Sequence, residues 1–390
     1  MLAFDKSDYL QRLQKVKDSM TEKGIEVLLV TDPANMCYLT GYNAWSFYVH
    51  QMVVVLADEE EPIWYGRYQD GLVGAKVTTW LKDENIYSYS DDYVQSTVKH
   101  PMDRLADLLI EKGVGSKSFG VEMDAYYFSA MAYERLKSGL PNAKFMDATS
   151  LVNWVRIIKS DNELIYMKRA AKIVESAMET AINAIDVGVR QCDAAASIYK
   201  AQITGTLEFG GDYPAIVPLM PSGDQTGAPH LTWTDKKYGK GEAVIIEIAG
   251  CYQRYHSPLS RTVFLGEPTK KIQDTADIVV EGLNAALDKA KPGVTCEEVE
   301  MAWRNVLQKY GLEKESRIGY ACGLNYPPDW GEHTASIRPG DKTVMQPNMT
   351  FHCIPGMWFD DFGVEISEAF RVTESGSETL ANFPRKLFVK

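Results

Sequence analysis

The order of periodicities along the chain predicts an α/β (α+β) protein in two parts, a small N-terminal α/β domain over residues 1–155 and a larger domain over residues 156–390. Three observations predict it. Helix-period and strand-period segments alternate through the first ~150 residues. A helix-start signal stands at Ser160-Asp161-Asn162-Glu163, where Ser and Glu have the spacing of a capping box. Beyond Tyr310 the chain reads as strands and irregular loops. With 390 residues there is material for two cores, at roughly 100–200 residues per domain.

Taken in order, Asp8 to Lys23 is amphipathic and stops at Gly24, a helix with its usual C-terminal punctuation. Ile25 to Val30, Met52 to Ala57 and Pro62 to Tyr65 read as strands, Met102 to Lys112 as a helix and Phe119 to Met123 as a strand. Glu163 to Ile185 carries a long helical period with Gly188 beyond it, and a second capping box, Thr295 to Glu298, opens a helix running to Tyr310. Internal repeats and low-complexity segments are absent from the sequence.

Composition excludes several classes of function. Hydrophobic residues at 45% and charged residues at 24% are ordinary for a globular protein. The net charge of -12 argues against nucleic acid as a partner, since phosphate binding needs clustered Lys and Arg. No apolar run approaches the ~20 residues of a membrane span, and the opening MLAFDKSDYLQRLQ lacks the apolar stretch of a signal peptide, so a cytoplasmic protein is expected. Cys37, Cys192, Cys251, Cys296, Cys322 and Cys353 are scattered without a CxxC pair and read as thiols rather than nucleophiles or a disulfide framework.

Four ordered motifs carry a resemblance. Glu242 to Gly266, EAVIIEIAGCYQRYHSPLSRTVFLG, is a strand, a turn and a second strand ending in Ser260-Arg261-Thr262. It resembles the DxG and GYxSDxTRTF segment of the pita-bread aminopeptidases and prolidases, whose aspartates hold two divalent ions, but the two positions here are Glu247 and Pro258. Gly319 to Leu324 resembles GHGIGL with Tyr320 at the ligand histidine. Met349 to Gly356 resembles MxFTIEPG with Ile354 at the ligand glutamate, and Gly363 to Glu368 resembles GVRIED with Ser367 at the last ligand. Hard or borderline divalent ions need several carboxylate or imidazole donors at about 2.0–2.2 Å. Pro and Ile offer none, so the resemblance implies a metal-free descendant with no cofactor, as in creatinase.

The residues left to do chemistry follow from those motifs. Glu247 lies in an apolar strand, where a carboxylate is costly unless it meets a cation or a donor, so the choice is between a buried salt bridge with Arg254 or Arg261 and a catalytic group. His230, in the segment GAPHLTW, aligns with the histidine that prolidases and creatinase keep beside the scissile bond. His352 shares a face with Ile354 by strand alternation, while Cys353 faces away. Tyr255, His256, Tyr320, Glu365 and Glu368 are further substrate-binding candidates by their places in the motifs. In creatinase-like dimers the loop corresponding to Tyr42–Tyr48 reaches into the partner's site, which makes Trp45 a candidate cover for the ligand and implies a homodimer.

Over nearly its whole length the chain resembles the creatinase-like branch, and within it the ectoine hydrolases. The departures at Pro258 and Leu259, and the acid at Glu247, argue against creatine as substrate. The resemblance implies hydrolytic opening of ectoine, with hydroxyectoine as a further possible substrate, Glu247 acting as nucleophile or general base and His230 as acid/base. Two alternatives stand beside it: another metal-free amidine or guanidine hydrolase, and a non-catalytic pita-bread binding module.

Overall fold

The computed structural model describes residues 2–390, and the chain divides into two compact units, Met1–Arg156 and Ile157–Lys390. The first unit is built on a six-stranded sheet with strands β1 (Val27–Val30), β2 (Met52–Leu56), β3 (Ile63–Arg67), β4 (Ile86–Tyr89), β5 (Ser118–Val121) and β6 (Lys144–Asp147), in the order β4-β3-β2-β1-β5-β6. β1 to β3 pair antiparallel and the outer strands pair parallel. Helix α1 (Lys6–Glu22) buries Tyr9, Leu13, Val16 and Met20, the 3–4 residue spacing of one helix face, and Gly24 follows it at φ +67°. Helix α2 (Pro33–Thr40) is capped by Asp32 accepting from the Ala34 amide and is buried throughout. Helices α3 (Pro101–Glu111) and α4 (Ala130–Gly139) cover one face of the sheet through Met102, Leu105, Leu109 and Leu136.

In the second unit, the capping box at Ser160 forms as the sequence predicts. The Ser160 hydroxyl accepts from the Glu163 amide and the Glu163 carboxylate accepts from the Ser160 amide at 2.9 Å, opening helix α5 (Asp161–Ala184). Helices α6 (Gln191–Thr204), α7 (Lys270–Lys289) and α8 (Cys296–Lys309) follow, the last opened by the Thr295–Glu298 box.

The strand frame that positions the site begins with β7 (Ala243–Tyr252) and β8 (Tyr255–Phe264), a ten-rung antiparallel hairpin turned at Gln253 and Arg254, both at positive φ. Its register places Glu247 opposite Ser260 and Ala249 opposite Pro258, so these four share one face. The other face lies on α5. Gly250 is the point of closest approach, where an added Cβ would stand 1.9 Å from the Ala170 carbonyl oxygen. A second sheet of β9 (Gly319–Cys322), β10 (Gly331–Ile337), β11 (Thr350–Cys353), β14 (Glu368–Val372) and β15 (Ser377–Thr379) has the order β10-β9-β11-β14-β15. Between β11 and β14 the chain makes the small hairpin β12 (Met357–Trp358) and β13 (Gly363–Val364). A final strand, β16 (Phe388–Val389), pairs parallel with β8.

The segment Glu365–Ser367 runs along β8 on the side away from β7, with the Ser367 amide donating to the Ser260 carbonyl at 3.1 Å and the Glu365 amide to the Thr262 hydroxyl at 2.9 Å. All four motifs are thereby gathered on one hairpin and one sheet. Among the described residues no helix is long and apolar enough to cross a membrane.

The close approach at Gly250 yields a stability prediction. Gly250→Ala forces α5 away from the hairpin and should cost about 1–3 kcal/mol or more, the range for overpacking a filled core. Thermal unfolding of the variant beside the wild type measures it, and an unchanged midpoint would contradict this packing.

Candidate active site

Glu247 enters the site from the middle of β7, 6% exposed, with no hydrogen-bond or ion-pair partner for its carboxylate among the described residues. Burial, then the negative charges of Glu365 and Asp329, push its pKa well above the carboxylate range. Neither arginine that the sequence offered as a salt-bridge partner reaches it. Arg254 donates to the carbonyls of Tyr213 and Asn325. Arg261, on the opposite face of β8, is bound to Glu368 at 2.6 Å and to four backbone carbonyls.

Glu365 is fully buried, and neither of its carboxylate oxygens completes a hydrogen bond of normal geometry. Its pKa is raised by burial, with Ser260 and Lys314 close enough to oppose that rise. The Ser260 hydroxyl is itself buried and unsatisfied.

Beside the two acids runs a chain of neutral donors and acceptors. The Trp330 indole N–H donates to the Tyr320 oxygen at 2.8 Å, Tyr320 lies 3.1 Å from His352 Nδ1, and His352 Nε2 lies 2.7 Å from Ser367 Oγ. The Ser260 amide donates to the same hydroxyl at 2.7 Å. Tyr320 and His352 are opposite one another in register, so they share a face. Burial, with Arg317 in support, lowers the His352 pKa to about 3, and the ring is neutral. Burial and the nearby Glu247 raise the Tyr320 phenol well above its usual range, keeping it protonated.

Asp329 completes this flank. Burial would raise its pKa, but His333 at 3.0 Å and the Gly331 amide at 2.9 Å hold it below the usual value.

The structure therefore brings Glu247, Glu365, Tyr320 and His352 together and separates the other sequence candidates from them. Tyr255 lies on the opposite face of β8, its hydroxyl donating to the capping-box carboxylate of Glu163 at 2.8 Å. The motif gave its position in sequence, but strand alternation turns it toward α5 rather than toward Glu247. Glu368 pairs with Cys353 in register, off the His352 face, and its carboxylate is held by Arg261 and Arg385. His256 does lie on the Glu247 side of β8, yet its Nε2 accepts from the Ala215 amide at 2.9 Å and Nδ1 faces the Gly323 carbonyl at 3.3 Å. Burial keeps that ring neutral.

His230 is solvent-exposed, just beyond the short 3₁₀ turn Gly223–Gly227, with no hydrogen bond to its ring among the described residues. That turn is tied to the Glu365 segment, because the Gly363 amide donates to Thr226 Oγ1 at 2.9 Å. Trp45 belongs to the first unit, 58% exposed and 4.7 Å from the Phe47 ring.

Lys314, Asp329, Trp330 and Trp358 escaped the sequence reading. Lys314 is buried, its ammonium donating to the Gly356 carbonyl at 2.6 Å and lying 3.8 Å from the Trp358 ring centre. Its only sequence signal is a lysine five residues before the Gly319 motif, in a segment that also carries Arg317.

The donor set does not fit the pair of divalent ions that such a fold commonly holds. Pro258 and Ile354 have no donor, Tyr320 and Ser367 are spent on the hydrogen-bond chain, and a lysine faces Glu365. Among the described residues no three His, Cys, Asp or Glu side chains converge as a metal cluster.

Comparison with known proteins agrees with this architecture. Residues 166–374 match the model of metallopeptidase family M24, and residues 12–158 match the creatinase/prolidase N-terminal domain. The ectoine hydrolase of Halomonas elongata is 48% identical over 396 residues, covering 100% of this chain and 99% of the relative. Among solved structures, the prolidase of Thermococcus sibiricus superposes with a TM-score of 0.85 at 23% identity, covering 98% of this chain and 99% of that one. The prolidase of Pyrococcus horikoshii superposes at 0.81 and 25% identity, covering 97% and 99%.

The buried ion pair at Glu368 yields a test of its part in the site. Glu368→Ala leaves the Arg261 guanidinium buried without its partner and should cost about 3–5 kcal/mol of stability. Denaturant unfolding reads that loss, and the KM of whatever protein remains folded should not change.

Proposed function

The chain belongs to metallopeptidase family M24 and is a hydrolase; from that premise we propose that it opens the ring of ectoine, a carboxylate-bearing cyclic amidine, to N-acetyl-2,4-diaminobutyrate, without a metal ion. The observation that carries the proposal is the buried carboxylate of Glu247, unpaired and set beside a second acid, Glu365. Two such groups repel anions and favour a cation. An amidinium is a cation whose central carbon is also an electrophile. The 48% identity to an ectoine hydrolase supports this choice of amidinium.

In the mechanism, a Glu247 oxygen adds to the amidinium carbon and the electron pair of its C=N bond moves onto nitrogen. One ring C–N bond breaks as its nitrogen takes a proton from solvent and leaves as the amine. Water then attacks the same carbon and releases the carboxylate, leaving the acetyl group as an amide on the other nitrogen. His230 takes the proton of that water, its loop tied beside the Glu365 segment through Thr226 and Gly363. Trp330, Tyr320 and His352 form a neutral, hydrogen-bonded wall that orients the ring without competing for its charge. The family likeness also supports a homodimer in the cytoplasm in which Trp45 of one copy covers the site of the other.

Mass spectrometry of protein incubated with ectoine should show the addition of one water, with the same rate in the presence of EDTA. Loss of turnover on chelation would restore the metal to the mechanism. Glu247→Gln should abolish turnover, and quenched wild-type reactions should carry substrate mass on the peptide containing residue 247. An unmodified peptide at every quench time would make Glu247 a general base instead. His230→Ala should slow the second step more than the first. If ectoine is untouched, turnover of another amidine or guanidine would keep the hydrolytic site, and binding without turnover would mark an inert module.

A pH dependence follows with its sign. The nucleophile must be ionised, and its pKa in the free protein is raised by burial and by Glu365. The acid limb of kcat/KM should therefore fall away at a higher pH than an ordinary carboxylate would give, and Glu365→Gln should move it downward by removing one like charge.

A further inference from the structure

Burying a charge without its counterion is costly, and the same site contains one of each sign left in that state. Glu365 is fully buried with both oxygens unsatisfied. Lys314 is 8% exposed and spends one of its three donors on the Gly356 carbonyl, the Trp358 face stabilising the ammonium from one side. The two charges act on one another across the site, yet they form no salt bridge. Their spacing leaves each without a counterion from the protein. The Trp358 indole N–H is also buried and unsatisfied.

The other cations of this unit near the site are already engaged by protein groups. Arg254 and Arg261 are committed to backbone carbonyls and to Glu368. Arg317 is exposed, stacks 4.6 Å from the Tyr320 ring and donates to the Ser336 hydroxyl.

We infer that Lys314 is a specificity-determining residue that takes the carboxylate of a zwitterionic substrate, while Glu247 and Glu365 take its cationic end. The ligand then supplies both missing counterions at once. A compound with one charge alone satisfies one end and leaves the other buried and unpaired, so the site selects for the joined pair of charges. This rests on the reading of the protein as an amidine hydrolase for the nature of the cation, and on Lys314 and Glu365 alone for the demand that a carboxylate accompany it.

The test compares ectoine with 2-methyl-1,4,5,6-tetrahydropyrimidine, the same cyclic amidinium without its carboxylate, by calorimetric binding to the full chain. The wild type should bind ectoine at least about tenfold more tightly, the size of one charge-assisted hydrogen bond. Lys314→Met should erase that difference by weakening ectoine alone, Lys314→Arg should restore part of it, and Glu365→Gln should weaken both ligands. Unchanged binding of the carboxylate-free cation to Lys314→Met also shows that the variant is folded. Equal weakening of both ligands in Lys314→Met, or none, would overturn the inference, as would a wild type that binds the two alike. Turnover is scored separately. Discrimination without ring opening would leave the carboxylate subsite standing and remove the proposed reaction, whereas ring opening without discrimination would do the reverse.

Discussion

A carboxylate held out of water with no cation beside it is the constraint on which the rest of this site depends. An unpaired buried charge costs several kcal/mol even after relaxation, and Glu247 and Glu365 impose that cost side by side. They stay in place because their backbones are fixed elsewhere. Glu247 sits mid-strand in a ten-rung hairpin pressed on α5 at Gly250. Glu365 is clamped to the edge of β8 through Thr262. The arginines that could neutralise them are held by carbonyls and by Glu368 on other faces of the sheet. The fold thus supplies the energy that keeps two acids ready for a cation.

The replacements at the family's metal positions make sense in the same terms. In the metal-binding relatives, ions neutralise a cluster of acids. Without ions, such acids would repel one another, and each would need its own cation or proton. Here Pro258 and Ile354 remove donors outright, while Tyr320 and Ser367 convert ligand positions into a hydrogen-bond chain through His352 to the Ser260 amide. Trp330 closes the chain at its outer end. In the proposed reading a charged cluster has become a neutral wall, and the negative charge is left on Glu247 and Glu365.

Much of this was legible in the sequence because the signals were local. Both capping boxes form at the predicted residues, the helix ending before Gly24 is in place, and strand alternation correctly turns Cys353 away from His352. Motif comparison put forward Glu247, Tyr320, His352 and Glu365 one by one, and the fold brings them together from four separate stretches. It failed where position in a motif says nothing of facing. Tyr255 and Glu368 stand beside the right residues in sequence and on the wrong side of their strands. Lys314 failed for a different reason: it sits in a loop with no periodicity, and only the folded chain carries its ammonium to Glu365.

Lys314 also changes the electrical character of the site. The imidazoles of His256 and His352 are kept neutral by burial, and the tyrosine is kept protonated. Without the lysine the pocket would still offer acids to a cation, but no counterion to a carboxylate joined to it. Burial pulls the Lys314 pKa down to about 7, with Glu365 opposing that fall, so the ammonium is sustained by the acid it does not touch. An arriving carboxylate would favour the charged form further, just as an arriving amidinium would favour ionised Glu365. Each end of a zwitterion therefore stabilises the protein charge that receives it, and the two effects reinforce one another through the Lys314–Glu365 interaction. A site built this way gains selectivity from the separation of its charges more than from the strength of either one.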